Sequence, residues 1–194
     1  MRMARIGWLV IAVGILAGCG INNIPSYDEQ VKAAWAQVQN QYQRRADLVP
    51  NLVSTVQGYA AHEKDTLQAV IEARAKVSQM NVSPEILNDP AAFKAFEQNQ
   101  AALTSALSKL MVVVEAYPDL KANQNFLQLQ AQLEGTENRI SVARRDYIAA
   151  VQTYNTEIRT FPGRIWHALM YRDMKVRESF EAADGAQTAP VVKF

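Results

Sequence analysis

Apolar residues recur every seven positions along most of the chain. One row runs Trp35, Tyr42, Val49, Val56, Val70 and Val77, and a companion row runs Val31, Val38, Leu52, Tyr59 and Ala73. Two rows three to four positions apart merge into one apolar stripe on a helix. Ser26-Tyr27-Asp28-Glu29 has the form of a capping box, which predicts a helix start there, just after Pro25. Arg45, Glu63 and Thr66 fall in the same rows, so the stripe is interrupted by polar groups. Pro50 lies inside the pattern, removes one helical N–H and crowds the preceding turn. It predicts a kink, because the stripe keeps its register across it; the alternative is a break, with Asp47 capping a new helix.

The segment NVSPEILNDP, residues 81–90, is the clearest interruption. Ser83-Pro84 and Asp89-Pro90 each pair a capping residue with Pro at the first helical position. A second helix, carrying Phe93, Phe96, Leu103, Leu107, Leu110 and Val114, is expected to run to about Tyr117. A third starts near Lys121 to Asn123, with Phe126, Leu133, Ile140, Tyr147, Tyr154 and Phe161 at a seven-residue repeat, until Phe161-Pro162-Gly163 stops it. A short fourth holds Ile165, Trp166, Leu169 and Met170. The fold class is therefore all-α: an antiparallel up-and-down bundle of three long helices plus a short fourth.

At 1.5 Å per residue the first helix would span roughly 80 Å, the second roughly 40–50 Å and the third roughly 58 Å. The lower part of helix one, with Trp35 and Tyr42, then lacks cover. Together with Trp166 these residues form an expected interface. The segment after Pro162, a second copy of the chain, and a membrane surface are the candidate covers, in that order.

The N-terminus reads as an address. Arg2 and Arg5 precede Ile6 to Gly18, a charge-free run too short for a comfortable bilayer span of roughly 20 residues. It ends in Leu16-Ala17-Gly18-Cys19, and Cys19 is the chain's one cysteine. This resembles the lipobox of bacterial lipoproteins. The resemblance implies cleavage between Gly18 and Cys19, a diacylglycerol thioether on Cys19 and acylation of the new N-terminus. An uncleaved short membrane helix reaching Ile24 is the alternative. The division that follows is a signal peptide over 1–18, a lipidated Cys and tether over 19–25, a helical domain over 26–182 and a tail over 183–194. In a Gram-negative cell, Gly20 after the cysteine would sort the protein to the outer membrane, facing the periplasm. Elsewhere it would sit on the exterior face of the cell membrane.

The full chain has 194 residues and a formal net charge of +1, which gives no basic footprint for nucleic acid. A single Cys and two His exclude a disulfide framework and a Cys-rich zinc site. His62-Glu63 begins like the zinc-protease helix motif, but residue 66 is Thr, so the second ligand is missing. Glu134, Glu137 and Asp146 on helix three are expected to form salt bridges with Arg139, Arg144 and Arg145. No nucleophile elbow, phosphate loop or dinucleotide fingerprint is present. Neither metal nor cofactor is therefore expected, and no catalytic residue. Arg45, Glu63, Glu137 and Arg144 occupy seam positions, with Arg44 and Asp47 beside Arg45. They predict a buried ionic layer fixing helix register, or a polar groove for a partner.

Residues 34–74 read AWAQVQNQYQRRADLVPNLVSTVQGYAAHEKDTLQAVIEAR. This block is similar to the LemA family, as are Glu115 to Asn123, Asn125 to Gln130, EGTENRISVA over 134–143, Tyr154-Asn155, Phe161-Pro162 and the tail from Phe180 to Phe194. The resemblance implies a helical bundle of about four helices on an N-terminal membrane anchor, with no established activity. Family genes often neighbour those of TPM-domain membrane proteins or a membrane zinc protease. The expected function is a membrane-anchored, non-enzymatic scaffold or adaptor in the cell envelope; the alternative is an accessory or regulator of such a protease or TPM-domain protein. The expected partners are membrane lipid through acylated Cys19, an envelope protein, and a second copy of the chain.

Overall fold

A computed structural model describes residues 20–80 and 82–181, and these are all-helical apart from turns and one extended segment. The helices are α1 (Asn23–Gln57), α2 (Lys64–Ser78), α3 (Pro90–Val114), the single turn α4 (Pro118–Lys121), α5 (Gln124–Glu157) and α6 (Gly163–Met170), with a 3-10 turn at Pro84–Asn88. The signal peptide, Cys19 and the tail from residue 182 lie outside the described residues. Among those described, no helix is long and apolar enough to cross a membrane.

α1 and α5 form the backbone of the fold, at 35 and 34 residues each about 50 Å long. They run antiparallel. Asn23 pairs with Glu157, Trp35 with Tyr147 and Arg45 with Glu137, one series rising as the other falls. The expected seam of α5 is buried from Phe126 through Leu133, Ile140, Tyr147 and Tyr154. Phe161, read as its last member, is instead exposed, because α5 ends four residues earlier.

The expected first helix is two helices. The chain turns back at 58–63, and α2 returns along the upper half of α1. Both seam rows become polar here, at Glu63 and Thr66, and Gly58 weakens the helix further. Tyr59, read as a seam residue, is exposed in the turn. Val70 and Val77 keep the sevenfold count across the turn, but α2 runs the opposite way.

Pro50 neither breaks α1 nor ends it. A proline at 50 frees the carbonyl of residue 46 from its helical bond. The Arg74 guanidinium of α2 fills that vacancy, its Nε donating to the Ala46 oxygen at 3.0 Å. The capping box is not used either. α1 begins at Asn23, so Pro25 and Ser26 are already helical, and the Glu29 carboxylate that a capping box would turn back accepts from Lys32 at 2.7 Å instead. Asp89 does cap α3, accepting from the Ala91 and Ala92 amides, and Asn123 caps α5 through the Phe126 amide.

Two clusters make the core. The upper one joins Val49 to Val56 of α1 with Leu67 and Val70 of α2, Leu103 to Val114 of α3, and Phe126 and Leu133 of α5. The lower one gathers Trp35, Tyr42, Phe93, Phe96, Tyr147 and Phe180. Trp35 is 0% exposed and lies 5.2–6.2 Å, centroid to centroid, from Phe96, Tyr147, Phe93 and Phe180. The stripe expected to be bare is therefore covered, mostly by α3 and α5, with Phe180 of the segment after Pro162 closing it. Residues 171–180 run as an extended strap along the lower ends of α1 and α5. Tyr147 Oη donates to the Glu178 carbonyl at 2.6 Å, Tyr154 Oη to Lys175 at 2.9 Å, and the Glu178 amide to Leu87 at 3.0 Å. Trp35 and Tyr42 are interior residues rather than an interface. Trp166 is half-buried against the same cluster.

Candidate functional site

The charged seam residues do not converge on one layer. Arg45 and Glu137 meet; Arg144 stands close by; Arg44 and Asp47 are exposed on the outer side of α1, where Asp47 accepts from Gln43 at 2.8 Å. Glu63 lies in the turn at the far end and accepts from the Tyr117 hydroxyl at 2.9 Å. That bond holds the Tyr117 phenol above its ordinary value. His62 is exposed in the same turn, not on a helix.

Arg45 is the organising group. Its guanidinium is 2% exposed and ties three helices together. Nη1 donates to Glu137 of α5 at 3.1 Å and to Thr104 of α3 at 2.9 Å; Nη2 donates to the Gln100 carbonyl at 3.2 Å and to the Gln100 side chain. The Tyr42 ring lies 5.0 Å from its central carbon. A buried guanidinium needs such company, since an unpaired charge in the interior costs several kcal/mol, on the order of its desolvation. Glu137 is 41% exposed, so water shares in its solvation. Burial pushes the Tyr42 phenol up, and the Arg144 and Arg45 charges partly oppose it.

Beside Arg45 an open groove of about 710 Å³ runs between α3 and α5, with Glu97, Arg144 and Arg145 on its walls. Arg144 faces Glu97 at 3.8 Å and stacks its guanidinium 4.1 Å from the Phe180 ring. Burial raises the Glu97 carboxyl, with Arg144 as the main counterweight. The helix-three carboxylates pair less with their own helix than expected. Glu137 reaches across to α1 and Glu134 accepts from Gln130. Only Asp146 takes a neighbouring arginine, Arg145 at 3.6 Å, in an exposed contact. Among the described residues no three His, Cys, Asp or Glu side chains cluster as metal ligands would.

A second ionic centre was not anticipated. Asp28, 3% exposed on α1, accepts from Arg177 Nε at 3.0 Å and also from Arg177 Nη2. Arg177 Nη1 donates to the Asn88 side chain, and its main chain is bracketed by Asn155 through two 3.0 Å bonds. Lys32 adds a 3.0 Å contact to the other Asp28 oxygen. One arginine of the strap thus clasps α1, α5 and the 3-10 turn. A signal existed, because Asp28 lies seven positions before Trp35, on the same seam row. A charge there asks for a buried partner, but the sequence gives no hint that the partner is 149 positions away.

The LemA family model matches residues 34–194. Two relatives in Paramagnetospirillum magneticum, magnetosome proteins MamQ 1 and MamQ 2, are each 27% identical over 188 residues, covering 88% of this chain and 68% of their own length. Protein LemA of Metamycoplasma hominis is 25% identical over 140 residues, 72% of this chain and 60% of that protein.

Proposed function

The chain belongs to the LemA family, and from that membership together with the lipobox-like Leu16-Ala17-Gly18-Cys19 we propose that it is a lipid-anchored, non-enzymatic helical scaffold of the cell envelope, built as an antiparallel bundle on acylated Cys19. The observation that carries this reading is the use made of the buried charges. Asp28, Arg45 and Arg177 are spent on one another, on Glu137 and on amide groups, joining helix to helix. Such pairing specifies register and rigidity. The result is a body about 50 Å long, tethered at the end where α1 begins. A rod held at one end presents its sides and far tip to a partner at a fixed height. The partner in this proposal is another envelope protein.

The test combines processing with in-membrane cross-linking of the full chain. The expected result is an intact mass lacking residues 1–18 and carrying acyl chains, absent in Cys19→Ser, together with a defined envelope protein cross-linked through the outer faces of α1 or α5. An unprocessed mass overturns the lipid anchor. Turnover of a substrate by the purified chain alone overturns the non-enzymatic part.

A further inference from the structure

The end of the body where α1 starts exposes several large apolar side chains. Phe161 is 82% exposed, Leu169 68%, Met170 58% and Ile165 46%. Ile165 and Leu169 lie four apart on α6 and share a face, while Trp166 turns inward onto the core. Phe161 stands in the turn just before α6. Large apolar side chains grouped this way on a surface mark an interaction site.

Three observations say what covers it. First, Gly20 lies against this turn; a Cβ there would sit 3.7 Å from Pro162. Cys19 is covalently joined to Gly20, so acyl chains on Cys19 would enter the bilayer next to this end. Secondly, the face is flanked by exposed cations: Arg159 in the preceding turn, Arg164 on α6 and Arg172 after it. Of the nearby carboxylates, Glu157 is engaged by Asn23 Nδ2 at 3.1 Å, and Asp173 is exposed. Thirdly, α6 is a short amphipathic helix packed against α1. Its packed face meets α1 and its other face meets solvent. An apolar face rimmed by arginine is what an anionic bilayer surface accepts, with apolar side chains below the headgroups and guanidinium groups among the phosphates.

We propose that α6 and Phe161 form a membrane-docking foot that seats the lower end of the body on an anionic lipid surface. The foot rests on the reading that the N-terminal segment is a membrane anchor. It adds a second, non-covalent contact that fixes how the body stands on the bilayer.

The test uses the full chain reconstituted in vesicles of phosphatidylcholine and phosphatidylglycerol with brominated acyl chains. Leu169→Trp puts an indole on the foot, and Met170→Trp repeats the measurement one position on. Val112→Trp puts one on α3 near the opposite end, at a residue 73% exposed. All three sites are exposed, so circular dichroism should match the unsubstituted chain. Leu169→Trp and Met170→Trp are expected to show blue-shifted emission and quenching by the brominated chains beyond that of the unsubstituted protein; Val112→Trp is expected to show neither. Emission from both foot positions that stays unquenched and open to aqueous quenchers, in chains that float with the vesicles, overturns the foot and leaves the anchor standing. A protein would then be the occupant of the face. Chains that do not float overturn the anchor and the foot together.

Discussion

Arg177 Nε donates to Asp28 Oδ1 at 3.0 Å, closing a link between the strap and the second turn of α1 across 149 positions. Both groups are buried, so each depends on the other for its solvation. Removing Arg177 leaves buried Asp28 with only the part-exposed Lys32 as counter-charge, a loss at the lower end of the range for a broken buried pair, about 3 kcal/mol. Arg177→Ala is expected to lose that much in denaturant unfolding and to free the strap for proteolysis near Tyr171. The double variant Asp28→Asn with Arg177→Met should recover part of the loss, because it leaves no buried charge behind. A recovery of nothing would show that the loss in Arg177→Ala does not come from a stranded Asp28 charge.

The Arg45–Glu137 pair is asymmetric, and so should be its variants. Removing Glu137 strands a guanidinium that is 2% exposed, whereas removing Arg45 strands a carboxylate that water already reaches. Glu137→Ala is therefore expected to destabilise more than Arg45→Met, with the larger loss about 3 kcal/mol. Glu63→Ala, at the far turn, should cost no more than about 1 kcal/mol, since it removes one half-exposed hydrogen bond. Equilibrium unfolding of the three variants side by side decides the order.

Arg74 and Pro50 should be coupled. Arg74→Met leaves the buried Ala46 carbonyl without the donor it has now, at a cost of about 1–3 kcal/mol. Pro50→Ala restores an amide that can bond that same carbonyl. In the Pro50→Ala background the Arg74→Met penalty is expected to shrink. A double-mutant cycle measures the coupling, and strict additivity would sink the link.

Gly163 opens α6 where no side chain fits. A Cβ built there would lie 2.2 Å from the Glu157 carbonyl oxygen. Gly163→Ala is expected to displace α6, lower stability by about 1–3 kcal/mol and raise the water exposure of Trp166. An unchanged Trp166 emission would count against this.

Alkali should unfold the protein by way of its core phenols. Burial raises Tyr147 far above its ordinary value, and burial is also the first cause of the upward shifts of Tyr42 and Tyr154. A group whose folded value is raised contributes stability that is whole below its unfolded value and is lost as pH climbs toward the folded one. The melting temperature is thus expected to hold as pH approaches about 10 and to fall above it. Phenolate absorbance should appear together with unfolding, and its appearance in a still-folded chain would contradict the burial of these rings.

The helices themselves were legible in the sequence. The seam of α5, the apolar rows of α3, the Asp89 cap and the existence of α6 follow from periodicity and capping chemistry, which are properties of a few adjacent residues. The buried state of Arg45 was legible too, because a charge on an apolar row has nowhere else to go. What the sequence could not give was direction and distance. A sevenfold count passes through the turn at 58–63 unaltered, so two antiparallel helices read as one long one. That the helix would continue through Pro50 was legible from the stripe's register, whereas Arg74, which bonds the carbonyl Pro50 frees, is brought there only by that turn. The bare stripe at Trp35 was a gap only while α1 was read as too long for its partners; once the chain turns back at 58–63, α3 and α5 reach Trp35 and the strap adds Phe180. Asp28 stands on the Trp35 row, where a charge needs a buried partner, and only the tertiary fold supplied Arg177. Local pattern determines which residues must be buried and in what kind of element. Which partner buries them is decided by contacts made across the whole chain, and those exist only once the helices have packed.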